Sequence, residues 1–363
     1  MSPQARALLS SDLTHRYTSS YKFYMGTRFI DEIEDYGEKL AKEVFGAEIA
    51  DLRPLSGHIA DLLFFANFTK PRDTIICVSA TDGGYPGMWK NALPRFLKYK
   101  TVAFPFSKDR MNIKTQEATE LIRRVKPKAV IFGASLFLFP QPVKEISKVA
   151  HEVDAHVGYD GSHVMGLIGG KTFQDPLREG ANALFGSTHK SFFGPQGGIF
   201  LADKEHGEKI KKHLFPAYVD NAHWNRIAAL TLALAEMKEF GKQYARQVIK
   251  NAQALARALS DYGFPVACRD FGFTSSHQVF LDYGGYKKGR AVVEKLEKAN
   301  IITDCGVRLG TCEVTRKGMK EREMEQIATL MKRLLKDKDQ PSNVKKEAVK
   351  LAKEFQRAIY TFE

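Results

Sequence analysis

Short apolar runs alternate with amphipathic segments over the first two thirds of the chain. The runs are apolar at successive positions, whereas the segments between them repeat apolar residues at helical spacing. Strands that are apolar throughout and separated by helices are typical of a mainly parallel sheet covered on both faces. The pattern therefore predicts an α/β region. The predicted strands are TIICVS from Thr74, AVIF from Ala129, AHVGYD from Ala155, ALFGS from Ala183 and GGIFLAD from Gly197.

Amphipathic helices are predicted before and between these strands. The stretch DEIEDYGEKLAKEVFG, residues 31–46, ends at a glycine, which is a common way to close a helix. A second helix, HIADLLFFANFT, follows LSG at residues 55–57. TQEATELIRRV and VKEISKVAHEV have the same spacing.

The pattern changes after about Asn225. Long helical stretches lead to the strand-like HQVFLDY, the helix AVVEKLEKAN, the segment GVRLGT and basic terminal helices. We expect a smaller α+β domain there, joined through the long helix. The predicted organisation is an N-terminal arm at residues 1–30, a large domain at 31–238 and a small C-terminal domain at 239–363.

The composition is that of an enzyme-sized globular protein. The chain has 363 residues, of which 44% are hydrophobic, enough for a sizeable core. Its longest apolar stretches are too short to span a bilayer, and its first residues lack the apolar core of a signal peptide, so we expect a cytoplasmic protein without a membrane partner. The four cysteines have no paired spacing, which favours neither a disulfide framework nor a metal site.

The chain is basic. It carries 55 Lys and Arg residues against 42 Asp and Glu residues, a formal net charge of +13, and so favours anionic partners. Much of the excess lies in MKRLLKDKDQ and NVKKEAVKLAKEFQR near the C-terminus. Their helical spacing favours a solvated helix face over a patch for RNA. Since no RNA-binding motif accompanies them, a nucleic-acid partner is not expected.

Three polar segments fall where predicted strands or loops end. LSGH, residues 55–58, places Ser56 at a helix start, as a phosphate cradle or as a plain helix N-cap. YDGSH, residues 159–163, places Asp160 directly after a buried strand, where a carboxylate needs a partner; the alternative is a turn cap. GSTHKSFFGPQGG, residues 186–198, places Lys190 among small hydroxyl residues before a turn rich in glycine.

Together these segments supply what a pyridoxal 5'-phosphate enzyme needs. Lys190 can form an imine with the cofactor's aldehyde. Asp160 can pair with the pyridinium nitrogen and keep the ring an electron sink. Ser56, with Gly57 and neighbouring backbone amides, can hold the phosphate. The sequence therefore favours this cofactor.

The chain resembles the serine hydroxymethyltransferase family over about residues 14–335. The resemblance rests on STHKSFFGPQGG, YDGSHVMGL and GVRLGTCEVTRKG, and on the earlier FYMGTRFIDEIE and AKEVFGAEIADLRPLSG in the same order. It implies an α/β protein of fold type I, the aspartate aminotransferase-like fold of pyridoxal phosphate-dependent transferases. That fold has a large domain built on a mainly parallel sheet and a small C-terminal α+β domain.

The resemblance also assigns roles around the cofactor. It implies that Lys190, preceded by Ser187 and His189, is the lysine that binds the cofactor covalently, and that Asp160 is the partner of the pyridinium nitrogen. His163 would lie beside the cofactor's phenolic oxygen.

Other implied roles concern the substrate and the neighbouring subunit. Ser135 in FGAS would lie near the cofactor and the substrate, and Arg308 would bind the α-carboxylate of an amino acid through two parallel hydrogen bonds. Tyr17 and Tyr24 fall near family tyrosines that reach across a dimer interface, so a homodimer with shared active sites is expected; packing in a core or interface is the alternative for both.

The chain also departs from the family's pattern. Tyr85 replaces a histidine that stacks on the cofactor ring, and it can stack equally well. His58 replaces a second hydroxyl of the phosphate cup, and FPAYVDNAHW replaces a glycine-rich partner loop. Ser19 stands where the family has a glutamate that handles protons. Only DCG separates ANIIT from the arginine segment, where the family carries folate contacts.

These observations predict an enzyme that acts at Cα of a small amino acid. The expected reaction is aldol-type cleavage or formation of a Cα–Cβ bond, with serine, threonine or glycine as reactants and without a need for folate. An aminotransferase of the same fold and an enzyme acting on aminoacyl-RNA are the alternatives. A scaffold protein without cofactor is a further one, since His58, Tyr85 and Ser19 fit a decayed site.

Overall fold

The computed structural model describes residues 1–16 and 25–362. The chain divides into two compact units. The first comprises residues 1–108, 112–242 and 362–363, and the second comprises residues 109–111 and 243–361.

A seven-stranded sheet forms the centre of the first unit. Its strand order is β1-β9-β8-β7-β6-β2-β3. The parallel strands are β3, β2, β6, β7 and β8. In contrast, β9 is antiparallel to both β8 and β1. The strands of the sheet are β1 (Ile49–Asp51), β2 (Thr74–Cys77), β3 (Lys100–Ala103), β6 (Ala129–Phe132), β7 (His156–Asp160), β8 (Ala183–Ser187) and β9 (Gly198–Ala202). A separate antiparallel pair consists of β4 (Phe106–Ser107) and β5 (Asn112–Ile113).

Helices pack on this sheet, and the apolar side chains of α3 pack against its strands in the core. Apolar residues occur on every side of this helix, and Phe64 stacks on Phe185 of β8 with ring centroids 5.1 Å apart. A helix that is apolar all round is a buried one. The helices of this unit are α1 (Pro3–Leu9), α2 (Arg28–Phe45), α3 (Gly57–Phe68), α4 (Leu93–Phe96), α5 (Thr115–Val125), α6 (Val143–Glu152), α7 (Met165–Gly169) and α8 (Lys204–Ala217).

The second unit has its own α+β core. A long helix, α9 (Trp224–Asp261), begins in the first unit and ends in the second. In the second unit its residues Leu255 and Leu259 pack with Val279, Leu296 and Met331. The remaining elements are β10 (Gln278–Phe280), β11 (Arg308–Gly310), α10 (Tyr286–Lys298), α11 (Cys312–Arg316), α12 (Glu321–Leu335) and α13 (Pro341–Glu354), with β10 and β11 antiparallel.

The observed elements confirm the predicted α/β class with a large, mainly parallel sheet. All five predicted strands of the first region are present. The helix predicted from residue 31 begins three residues earlier, at Arg28, and ends at Phe45, followed by the C-cap Gly46, whose φ of 71° is left-handed. Among the described residues, the structure has no helix long and apolar enough to cross a membrane, and no group of His, Cys, Asp and Glu placed to bind a metal ion.

Candidate active site

Loops from four neighbouring strands meet at one edge of the large sheet. The strands β2, β6, β7 and β8 are adjacent and parallel, so their carboxyl ends lie at the same edge, where open α/β sheets bind ligands. Tyr85 follows β2, Ser135 follows β6, Asp160 ends β7 and Lys190 follows β8. These four residues line one cavity of about 220 Å³.

The N-terminus of α3 forms another wall of this cavity. Ser56 is the N-cap of the helix, and its Oγ accepts a hydrogen bond of 3.2 Å from the N–H of Ile59. A Cβ atom on Gly57 would lie 2.8 Å from the backbone nitrogen of Ser187, so the absence of a side chain lets α3 approach the end of β8. The first N–H groups of a helix have no carbonyl partner within it and favour an anion.

Asp160 is a buried residue of the cavity that is bonded to one serine, Ser162, which a second serine bonds in turn. It is 5% exposed, and its Oδ1 accepts a hydrogen bond of 2.9 Å from the N–H of Ser162. The Oγ of Ser162 in turn accepts one of 2.9 Å from the N–H of Ser187. Burial raises the pKa of Asp160, while the hydrogen bonds from Ser162 and the charge of Lys190 oppose that shift. This network fixes the position of the carboxylate relative to β8.

Lys190 projects from a short, closed loop. Its Nζ donates a hydrogen bond of 2.7 Å to the Oγ of Ser187. The loop is closed by two hydrogen bonds of Thr188, from its N–H to the carbonyl of Gly197 at 3.1 Å and from its Oγ1 to the carbonyl of Pro195 at 2.7 Å. The turn rich in glycine and proline therefore places the lysine amine at a defined point beside the strand end.

His58 and Tyr85 form a hydrogen-bonded pair that lines the cavity. The Tyr85 hydroxyl lies 3.2 Å from Nδ1 of His58, and the two rings meet edge to face with centroids 5.9 Å apart. Burial lowers the pKa of His58, although the charge of Asp160 opposes this. Burial raises the pKa of Tyr85. Near neutral pH the pair therefore consists of an uncharged imidazole and an uncharged phenol.

Three comparisons with known proteins agree with this geometry. The sequence model of the serine hydroxymethyltransferase family matches residues 1–331. The chain belongs to the serine hydroxymethyltransferase family. It is 44% identical over 380 residues to a serine hydroxymethyltransferase of Methanocaldococcus jannaschii, covering 99% of this chain and 89% of that protein. It is 43% identical over 380 residues to one of Methanocella arvoryzae, covering 100% and 90%.

A solved structure with the same fold is L-threonine transaldolase from Pseudomonas fluorescens in its internal aldimine state. The TM-score is 0.92 with 27% sequence identity, covering 99% of this chain and 87% of that one. The predicted fold type I is thereby confirmed. As a serine hydroxymethyltransferase family member, the chain is a pyridoxal phosphate-dependent enzyme of transferase or aldolase type, which also confirms the predicted cofactor.

The cavity's residues fit this cofactor. A primary amine on Lys190, a buried carboxylate on Asp160 and an anion-binding helix start meet the needs of an aldehyde, a ring nitrogen and a phosphate. A Cβ on Gly186 would lie 2.6 Å from Ser162 Oγ and 2.9 Å from Asp160 Oδ1, so this glycine leaves room for the hydrogen bonds that hold the carboxylate. The cavity therefore matches the cofactor in its chemical groups as well as in the room that it leaves.

All the residues predicted to bind the cofactor line this one cavity. They are Ser56, Gly57, His58, Tyr85, Ser135, Asp160, His163, Ser187, His189 and Lys190. His189 is exposed, and its pKa is lowered by partial burial and by the charge of Lys190.

Arg308 begins β11 in the second unit, where its Nη2 lies 2.8 Å from Oδ2 of Asp304. Tyr17, Ser19 and Tyr24 lie outside the described residues.

Sequence reasoning missed two residues of the cavity, Asp61 and Ser162. Asp61 follows Gly57 by four positions in α3, and residues at that spacing share a face of a helix. This spacing was the available signal, but the apolar stretch around Asp61 indicated a core helix. Ser162 lies within the quoted YDGSH segment, between two residues that the sequence did select.

Proposed function

We propose that this enzyme breaks or forms the Cα–Cβ bond of a small β-hydroxy amino acid, with serine, threonine and glycine as reactants. One observation carries the proposal: Lys190, Asp160 and the start of α3 converge in a single cavity. The names of the relatives, serine hydroxymethyltransferase and L-threonine transaldolase, favour aldol-type chemistry over amino transfer.

Each wall of the cavity would hold one part of the cofactor. Lys190 would attach its aldehyde carbon, Asp160 would hold its ring nitrogen in the protonated form, and the N–H groups around Gly57 would bind its phosphate. When bound, pyridoxal phosphate supplies an electron sink for the pair released as a bond to Cα breaks. His58 and Ser56 would complete the phosphate cup, each through a side-chain donor.

The remaining residues of the cavity would orient the reactants. His163 would lie beside the phenolic oxygen of the cofactor, Ser135 near the reacting amino acid, and Tyr85 over the ring face. His189 and Ser187 would hold the lysine loop. The hydrogen bond from Lys190 to Ser187 supports the last role, because it keeps the amine at the strand end.

Arg308 would bind the carboxylate of the substrate. A guanidinium offers two parallel N–H donors that match a carboxylate. In this structure Arg308 already pairs with a carboxylate, that of Asp304, which supports such a role. Tyr17 and Tyr24 would contribute hydroxyl groups to a site shared between subunits; Tyr24 is the one proposed to take part in catalysis.

We propose further that the reaction does not require tetrahydrofolate. The connection between α10 and β11 is short, and Asp304 Oδ1 closes it by accepting hydrogen bonds from the N–H groups of Gly306 at 3.0 Å and Arg308 at 3.1 Å. In the family this connection carries folate contacts. Ser19 in place of a glutamate gives the same indication, because a serine cannot transfer protons as a carboxylate does near neutral pH.

Homodimer formation and a cytoplasmic location complete the proposal. Met25, just before α2, is 94% exposed, and Phe29, in the first turn of α2, is 64% exposed. Tyr36, further along the same helix, is 53% exposed. Large exposed apolar side chains close in sequence support an interface, and an isologous pairing is the commonest arrangement. All four cysteines, each within the described chain, are free thiols, which supports a reducing compartment.

Direct product analysis tests the proposal. Purified holoenzyme is incubated with serine or threonine, with and without tetrahydrofolate, and glycine and aldehyde are measured. We expect cleavage that folate does not stimulate, and borohydride reduction followed by peptide mapping should place the cofactor on Lys190. Strong stimulation of serine cleavage by folate would overturn the folate proposal. Amino transfer to a keto acid without release of aldehyde would overturn the aldol assignment.

A further inference from the structure

A second carboxyl group, that of Asp61, faces the cavity that contains Asp160. Asp61 lies on α3, one helical turn after Gly57, and lines the same space. Its side chain is 1% exposed, and its Oδ1 has no hydrogen-bond partner among the described residues. A buried polar oxygen without a partner costs roughly 1–3 kcal/mol, and more if it is charged. An aspartate at this position therefore needs a partner that the described part of the chain does not supply.

The local surroundings make this aspartate conspicuous. The next three residues along α3, Leu62, Leu63 and Phe64, are apolar, and the helix packs on β8 through Phe64. An apolar residue at position 61 would pack in this helix without leaving an oxygen unpaired. The carboxyl group is consequently best explained by what occupies the cavity.

The two carboxyl groups differ in the hydrogen bonds they receive. Asp160 accepts from the N–H and the hydroxyl of Ser162, and donors of this kind stabilise a carboxylate anion. Asp61 Oδ1 receives no such donor from the described residues. When two carboxyl groups share one site in different environments, one ionises and the other stays protonated. The hydrogen bonds assign the anion to Asp160.

Neighbouring charges support the same assignment. Burial raises the pKa of Asp61 well above its usual value, and the negative charge of Asp160 raises it further, while Lys190 lowers it. The other titratable groups that line this cavity are His58, Tyr85, His163 and His189.

We propose that Asp61 is a cofactor-binding residue that is a neutral acid in the folded enzyme and donates a hydrogen bond to the pyridoxal phosphate held in this cavity. The proposal rests on the cavity being the cofactor site. Asp160 and Asp61 then bind the same group in opposite ways, the first as an anion that accepts a hydrogen bond and the second as a donor. The orphaned oxygen is thereby explained by a site that is complete only with its ligand.

Two substitutions separate this role from a structural one. Asp61→Asn keeps a hydrogen-bond donor of the same shape and never carries a charge, whereas Asp61→Leu removes the donor and keeps the branching of the side chain at Cγ. The matched control is Asn67→Leu, a polar-to-leucine change on the same helix at a residue that bonds to Leu63 and His213 and does not line the cavity. The full-length proteins are stripped of cofactor and titrated with pyridoxal phosphate at pH 7 by equilibrium dialysis.

We expect Asp61→Asn and the control to keep the dissociation constant within about threefold, and Asp61→Leu to weaken binding roughly tenfold or more, as expected for the loss of a buried hydrogen bond. Unliganded Asp61→Leu should unfold at the same temperature as the parent or higher, because it has lost an unpaired oxygen. Infrared difference spectra of parent and Asp61→Asn holoenzymes should show the carbonyl band of a protonated carboxylic acid only in the parent.

The opposite results are equally decisive. Unchanged binding by a folded Asp61→Leu, or a parent spectrum in which Asp61 contributes only a carboxylate band, would overturn the assignment of Asp61. Peptide mapping after borohydride reduction distinguishes this from failure of the site itself. If Lys190 is labelled in the parent while either result holds, only the inference about Asp61 is wrong; if another lysine is labelled, the proposed cofactor site is wrong.

Discussion

Lys190 Nζ donates a hydrogen bond to the Oγ of Ser187, the last residue of β8, at 2.7 Å. The backbone N–H of Ser187 donates to Ser162, whose own N–H donates to Asp160. The amine and the carboxylate proposed to bind opposite ends of one cofactor are thus joined through two serines and the end of one strand. We therefore expect a substitution of Lys190 or of Asp160 to shift the other residue through these hydrogen bonds.

Replacing the lysine should abolish covalent attachment and leave the fold intact. Because Lys190 is exposed, Lys190→Ala is expected to change the free energy of unfolding by less than about 0.5 kcal/mol. Borohydride reduction and peptide mapping should then recover no pyridoxyl peptide. Lys128→Ala is the control, since Lys128 is also exposed but precedes β6 at the opposite edge of the sheet. Retained labelling elsewhere in Lys190→Ala contradicts the assignment.

Adding one methyl group at Gly57 should separate α3 from β8. Its Cβ would lie 2.8 Å from the backbone nitrogen of Ser187, and backbone cannot move aside as a side chain can. We expect Gly57→Ala to lower the free energy of unfolding by about 1–3 kcal/mol, the usual cost of overpacking, and to weaken cofactor binding. The measurements are urea unfolding and cofactor titration. In Gly310→Ala the nearest heavy atom is His277 Cδ2 at 4.0 Å, so neither quantity should change appreciably.

Removing the hydroxyl of Tyr85 should weaken cofactor binding less than removing its ring. Tyr85→Phe loses the hydrogen bond to His58, worth about 1 kcal/mol, and keeps the aromatic face; it should weaken cofactor binding less than about fivefold. Tyr85→Leu loses the face as well and should weaken binding further. Tyr99→Phe, which loses a hydroxyl bonded to Phe65 at 3.3 Å, is the control. Equal affinities for Tyr85→Leu and the parent would rule out stacking by Tyr85.

Acid should destabilise the large unit through a histidine pair at the other edge of the sheet. His156 Nδ1 lies 2.9 Å from His206 Nε2, and His206 Nδ1 lies 2.9 Å from Asp203 Oδ1. Burial, with the charges of His206 and Lys128, lowers the pKa of His156 from 6.5 to about 4. The neutral form is thus favoured by folding, and its stabilising contribution is present above pH 6.5 and is lost as the pH falls toward 4.

Since His156 is only half-buried, we expect that loss to reach about 1–2 kcal/mol after allowing for solvent screening. Urea unfolding between about pH 8 and about pH 4 measures it. His156→Gln should flatten the dependence, whereas His151→Gln, a change at an exposed histidine on α6, should leave it as it is. An unchanged pH dependence in His156→Gln would refute the attribution.

The sequence predicted the strands well because their signal is local. Runs such as AVIF are buried at every position in the structure. The direction of β9 was not predictable in the same way. GGIFLAD is an apolar run like its neighbours, and only the tight loop after Lys190, which returns the chain beside β8, makes β9 antiparallel.

The sequence did not predict Asp61 as a residue of the cavity, for a different physical reason. Its helix is apolar around the whole circumference, so its sequence does not indicate which face meets the core and which meets a ligand. Only the tertiary approach of α3 to Ser187 places that side chain in the cavity. The ion pair between Arg308 and Asp304 likewise depends on a turn, which spacing alone does not specify.

The sheet order has a consequence for synthesis of the protein. β1 is made first, but its partner in the sheet is β9, the last strand, whose Ala202 lies opposite Ile49. Until about residue 202 has left the ribosome, β1 has no strand to pair with, and β8 has one edge unpaired. Unpaired edges in growing chains invite aggregation. We therefore expect β1, which shortly precedes the helix start proposed to bind phosphate, to wait for its partner longer than any other strand of this sheet.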